Sequence, residues 1–147
     1  MKGGKVLGFL SRFNLRKMST RKSEEEWRKI LTPEQFRVLR ENGTERPFTN
    51  AYWNVSESGE YRCAGCNSLL FTSKDKFISS CGWPAFTQPA TKQIILKQDN
   101  SNGMERIEVR CGNCDGHLGH VFDDGPGPLG TRYCINSVCL KFNNDKK

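Results

Sequence analysis

Cys63-Ala64-Gly65-Cys66 and Cys111-Gly112-Asn113-Cys114, two Cys-x-x-Cys knuckles with 44 residues between them, decide how this chain of 147 residues folds. Each knuckle turns two thiols toward one point, its glycine easing the turn, and two facing knuckles supply four sulfurs at tetrahedral geometry around Zn2+. Two disulfides, a catalytic dithiol or buried free cysteines are the competing readings, and the repeated spacing favours zinc. Four thiolates leave no open position for water or substrate, so such a site is structural. It would clamp distant strand ends in a chain with 35% hydrophobic residues, 14 glycines and 6 prolines, a composition that gains from a staple. Three of the seven cysteines then remain for other work: Cys81, Cys134 and Cys139.

Upstream of the first knuckle the signals are helical. Ser23-Glu24-Glu25-Glu26 has the form of a capping box and starts a short helix to about Leu31, with Trp27, Ile30 and Leu31 on its apolar side. Thr32 with Gln35 repeats the signature, and Pro33 takes the favoured first position of a second helix. That helix should end near Asn42 and Gly43 with Phe36 and Leu39 inward. Beyond Gly43, short alternating or β-branched runs predict strands at Tyr52–Ser56, Lys92–Lys97, Glu105–Cys111, His117–Phe122 and Arg132–Phe142. Asp99–Gly103 (DNSNG) reads as a hairpin connection and Asp123–Gly130 (DDGPGPLG) as an irregular loop. The expectation is a mainly β, antiparallel domain behind an N-terminal helical pair.

The net charge of +7 sits almost entirely in residues 1–22, which hold seven Lys/Arg and no acid, while residues 23–147 carry sixteen bases and sixteen acids. A neutral folded part argues against a nucleic-acid binder. Residues 1–22 therefore read as a separate basic extension and 23–147 as the folded domain, catalytic only by the resemblance drawn below. Val6, Leu7, Phe9, Leu10, Phe13 and Leu15 punctuate the extension in the manner of an organellar transit peptide; a disordered basic tail is the alternative. A mitochondrial or a cytoplasmic location follows, with Met18 a second start that would leave a cytosolic form. No run approaches the ~20 apolar residues of a membrane span, and a monomer is the default.

Arg132-Tyr133-Cys134-Ile135-Asn136-Ser137, read as a strand, puts Arg132, Cys134 and Asn136 on one face. A cation beside a thiol favours the thiolate; a buried inert cysteine beside a surface arginine is the bland reading, and the polar companions weigh against it. Cys81, in Ser79-Ser80-Cys81-Gly82-Trp83-Pro84, lies in a loop from which a second thiol could swing toward an oxidised partner, and Cys139 is assigned to packing. The only histidines, His117 and His120, follow the second knuckle and precede Asp123 and Asp124; imidazole is the natural proton donor near neutral pH.

GWPAF at 82–86, GHLGHVFDDGP at 116–126, RYCINS at 132–137 and the two knuckles together resemble the methionine sulfoxide reductase B family, from about Ser23 to Phe142. The resemblance implies two antiparallel β-sheets with helices packed beside them, and reduction of the R epimer of methionine sulfoxide in oxidised proteins, one enzyme type serving each epimer. It implies Cys134 as nucleophile and Cys81 as resolving thiol. His117, His120 and Asp124 would bind and protonate the sulfoxide oxygen, Arg132 and Asn136 support the thiolate, and Trp83 offers an apolar wall to the substrate methyl group. Cys134 would pass through a sulfenic acid to a Cys81–Cys134 disulfide, with thioredoxin as reductant. A zinc-ribbon binding module and a thiol-based oxidant sensor are the other classes that share these cysteines. The neutral folded part and the Arg132/Cys134/Asn136 face favour the enzyme over the binding module, and turnover is what separates an enzyme from a sensor.

Overall fold

The structure, a computed structural model, describes residues 22–145, so the expectations for residues 1–21 lie outside it. Helix α1 (Glu24–Ile30) and helix α2 (Pro33–Glu41) both begin in complete capping boxes. Ser23 Oγ accepts the Glu26 amide at 3.1 Å while Glu26 returns a carboxylate to the Ser23 amide at 2.8 Å, and Thr32 and Gln35 do the same at 3.1 and 2.9 Å. These bonds satisfy amides that the first turn cannot pair internally. Trp27, Leu31, Phe36 and Leu39 are buried, whereas Ile30 is 55% exposed. Leu31, a full turn past Trp27, takes the inner position and leaves Ile30 to solvent.

Among the described residues, nine strands form two antiparallel sheets. They are β1 (Gly59–Cys63), β2 (Leu69–Thr72), β3 (Lys76–Phe77), β4 (Ala85–Phe86), β5 (Ile94–Asp99), β6 (Arg106–Cys111), β7 (His117–Phe122), β8 (Arg132–Ile135) and β9 (Leu140–Asn144). One sheet has the order β2-β1-β9 and the other β3-β4-β8-β7-β6-β5. Aromatic rings fill the space between them: Phe71 stacks on Phe86 at 4.3 Å and Tyr61 meets Phe86 edge-on at 5.2 Å.

Two expected strands are corrected. Tyr52–Ser56 is a turn that runs into irregular chain; the half-buried Lys76 ammonium donates to the carbonyls of Trp53 and Val55, and Tyr52 packs its ring on Tyr61 and Phe142. Arg132–Phe142 is broken by a 3-10 turn at Ser137–Cys139, where the chain leaves the six-stranded sheet and enters the other. The Glu45 carboxylate, fully buried, accepts the Ser137 and Val138 amides at 2.8 and 3.0 Å and so satisfies the start of that turn. Strands β1 to β4 had no counterpart among the expected ones.

The register of the large sheet lines up chemistry. Glu108, His120, Cys134 and Ala85 stand opposite one another on β6, β7, β8 and β4. Between β6 and β7 the pairing slips at Val109/Arg110, so Leu118 has no opposite number. This bulge brings His117 and His120, which a regular strand would point to opposite faces, onto one face with ring centroids 5.5 Å apart.

Candidate active site and metal centre

The knuckles are built alike. In each, a left-handed residue follows the second cysteine, Asn67 (φ 68°) and Asp115 (φ 62°), residue types that tolerate this conformation. Its amide bonds back to the carbonyl of the first cysteine at 2.8 Å in both. The four sulfurs lie within 4.8 Å of one another, Cys63 and Cys114 at 3.7 Å and Cys66 and Cys111 at 3.5 Å. A tetrahedron with metal–sulfur bonds of about 2.3 Å has edges of about 3.8 Å, so the spacing fits a metal ion held by four thiolates. Arg40 of α2 donates to the Cys114 carbonyl at 2.9 Å and lays its guanidinium over Trp27 of α1, joining both helices to the cluster.

Cys134 sits on β8, and the Ser79–Trp83 loop carries Cys81 to within 3.7 Å of it, sulfur to sulfur. The pair shares one proton. The hydrogen bond from Cys134, helped by Ser79 and Arg132, pulls the Cys81 thiol down to about 5, while that same sharing, with burial, pushes Cys134 well above an ordinary thiol. One sulfur of the reduced pair thus carries the charge while the other holds the proton, and Arg132 favours the charged form of both. A cavity of about 200 Å³ opens over the two sulfurs, walled by Trp83, Phe122, His120, Arg132 and Asn136.

The other expected residues fall in three settings. Asp124 is 63% exposed and grips Arg132 through two bonds, 2.8 and 3.2 Å, outside the walls of the cavity. Asn136 is buried and spends its side chain on the backbone, accepting the Glu45 amide at 3.0 Å and donating to the Leu118 carbonyl at 2.9 Å. Trp83 donates its indole N–H to the Glu45 carbonyl at 3.1 Å. His117 is 3% exposed and does not reach the cavity over Cys134; burial pushes its imidazole down, opposed by Glu108. Cys139 is fully buried against the His117 carbonyl, as packing requires.

A second cavity, about 290 Å³, adjoins the first through Thr44, Arg106 and His120, and every side chain lining it is polar. It holds two imidazole–carboxylate contacts, His117 Nδ1 to Glu108 at 2.6 Å and His120 Nε2 to Asp99 at 2.7 Å. Glu45, Asp99, Arg106 and Glu108 were not singled out in the sequence. Arg106, Glu108 and Arg110 alternate along an otherwise apolar run, which marks a polar sheet face; nothing local marks Glu45 or Asp99.

Residues 31–144 match the SelR domain. The chain is 58% identical over 121 residues to peptide methionine sulfoxide reductase MsrB of Bradyrhizobium diazoefficiens, covering 82% of this chain and 87% of that protein. It is 54% identical over 122 residues to the protein of the same name from Agrobacterium fabrum, with 82% and 90% covered. To that of Methanosarcina barkeri it is 56% identical over 128 residues, with 86% and 89% covered. A dithiol beneath a cavity and a four-cysteine cluster thus stand in a sequence similar over most of its length to these enzymes, and the chain belongs to the SelR-domain family, that of the peptide methionine sulfoxide reductases MsrB.

Proposed function

We propose that this chain reduces the R epimer of methionine sulfoxide in proteins to methionine, with Cys134 as nucleophile and Cys81 as resolving thiol. The observation that carries the reading is the 3.7 Å approach of the two sulfurs at the base of a cavity into which His120, opposite Cys134 in the sheet, also faces. Proton transfer from Cys134 to the Cys81 thiolate gives the attacking thiolate. Its sulfur attacks the sulfoxide sulfur; the S–O bond breaks as the oxygen passes to Cys134 and takes a proton from the imidazolium of His120, leaving the thioether and a Cys134 sulfenic acid. Cys81 then attacks that sulfenic acid, water leaves, and a disulfide remains. An external dithiol of the thioredoxin kind exchanges with it and restores both thiols.

His120 is the better donor of the two histidines, because it lines the cavity over Cys134 while His117 is buried behind it. Trp83 and Phe122 supply an apolar wall for the methyl group. Arg132, fixed by Asp124, offsets the charge of the thiol pair, and Asn136 fixes the backbone that carries Cys134. Cys63, Cys66, Cys111 and Cys114 hold one Zn2+, which supplies cohesion and takes no part in the chemistry.

Dithiothreitol-driven reduction of a peptide containing each separated sulfoxide epimer tests the reading. Wild-type protein should turn over only the R epimer, Cys134→Ser should abolish turnover, and Cys81→Ser should keep it with dithiothreitol but lose it with thioredoxin. No turnover of either epimer by folded, zinc-loaded protein overturns the assignment. A stable sulfenic acid in substrate-treated wild type, with no Cys81–Cys134 link by mass spectrometry, overturns the resolving role alone.

A further inference from the structure

A proton donor beneath a sulfoxide must hold its ring still and keep its charge among its neighbours. The groups facing His120 are Arg106 and Glu108 on β6, His117 on its own strand, Arg132 and Cys134 on β8, and Cys81 from the loop. Arg106 and Arg132 line the same cavity, and like charges oppose a further cation there. Glu108 is already taken, 2.6 Å from His117 and 2.7 Å from Arg110. The carboxylate that meets His120 comes instead from Asp99, the last residue of β5 and the first of the hairpin connection.

We infer that Asp99 is a positioning residue for the proton transfer, holding the His120 imidazolium through Nε2–H so that Nδ1 carries the proton taken by the sulfoxide oxygen. The inference rests on the reading of the reaction given above. Asp99 is itself held: its Oδ1 accepts the Ser101 amide at 2.9 Å, and its Oδ2 meets His120 Nε2 at 2.7 Å and lies 3.7 Å from Arg106. The hydrogen bond from His120, then that from Ser101, keeps the carboxyl well below the usual carboxylate range. An ionised carboxylate only accepts hydrogen bonds, so Nε2 must be the protonated nitrogen. Arg106 cannot satisfy Asp99 in place of His120, since 3.7 Å is beyond hydrogen-bond reach.

The test measures single-turnover formation of methionine from a peptide (R)-sulfoxide, from pH 5.5 to 9, for wild type, Asp99→Asn, Asp99→Ser and Asp99→Glu. Asparagine keeps an oxygen for the Ser101 amide but then points an N–H at Nε2, which disfavours the imidazolium; serine keeps a small acceptor and removes the charge; glutamate restores it. The expected result is a loss of about 10-fold or more at pH 8, within the 10²–10⁴ that general acid catalysis contributes, in whichever neutral variants fold. The loss should shrink toward low pH as the alkaline limb moves to lower pH, with partial recovery in Asp99→Glu. A folded neutral variant with the wild-type rate and pH profile overturns the inference, as does a loss that is equal at every pH and unrelieved by glutamate. Inactive wild-type protein would instead overturn the sulfoxide-reduction reading on which it rests.

Discussion

At the scale of single residues, two thiols 3.7 Å apart share a proton because two thiolates would repel each other in a half-buried site. The charge of the reduced pair is present above about pH 5 and is lost as pH falls through that value, since the Cys81 thiol is pulled down to about 5. Alkylation of the reduced, metal-loaded protein should therefore modify Cys81 at a nearly constant rate from pH 8 to pH 6. An ordinary thiol, with a pKa of about 8.5, would slow by about tenfold per unit over the same range. Peptide mapping after timed iodoacetamide treatment reads the difference, and a tenfold decline per unit would make the pair two ordinary thiols. Part of this was legible in the chain: Arg132, Cys134 and Asn136 alternate as a strand face. The partner that draws the charge away lies 53 residues off in a loop, and no local pattern reports that proximity. Asp99 was illegible for the same reason, since it reaches His120 only because β5 and β7 flank β6.

At the scale of elements, helix ends were easy to read and strand ends were not. Capping boxes are local chemistry, complete within four residues, and both form where Ser23 and Thr32 predict them. Strand β1 has no such signature: Gly59–Cys63 alternates buried and half-buried residues, GEYRC, in which only Tyr61 reads as apolar core, and its identity depends on β2 and β9 alongside. The break at Ser137 depends on Glu45, 92 residues away, whose carboxylate ends the strand from outside it. Close strand approach also depends on Gly119, where an added Cβ would overlap the Cys134 carbonyl oxygen. Gly119→Ala should cost about 1–3 kcal/mol, as overpacking does, and lower the melting temperature by roughly 4–12 °C. Because β7 carries His120 and β8 carries Cys134, single-turnover reduction should fall further than stability does, measured at a temperature where the variant is fully folded. Wild-type melting and turnover would mean that the two strands can part without consequence.

At the scale of the whole molecule, the four-cysteine cluster joins the two sheets. Cys63 ends β1, the central strand of the three-stranded sheet, with Cys66 just beyond it; Cys111 ends β6 in the six-stranded one, with Cys114 just beyond it; and Arg40 and Trp27 fasten both helices to the same point. The second knuckle also leads within three residues to His117 and the bulge that aligns the histidines, so cohesion and site geometry share one anchor. Without a metal, four thiols whose closest cross-knuckle pairs lie 3.5 and 3.7 Å apart keep neither charge neutralisation nor bonds. Structural zinc contributes about 10–16 kcal/mol of apparent binding free energy in small domains, against a typical net stability of about 5–15 kcal/mol. A large share of folding should thus be coupled to metal. Cys63→Ser, or removal of the metal by a strong chelator under reducing conditions, should lower the melting temperature by roughly 20 °C or abolish the cooperative transition. Readdition of Zn2+ should restore the transition to the chelated wild type but not to Cys63→Ser. Reduction of methionine sulfoxide should be lost with the fold, although Cys134 and Cys81 are chemically untouched. Metal-free protein that melts within a few degrees of the loaded form, and still reduces the substrate, would show that hydrophobic packing between the sheets suffices and that the cluster is not what joins them.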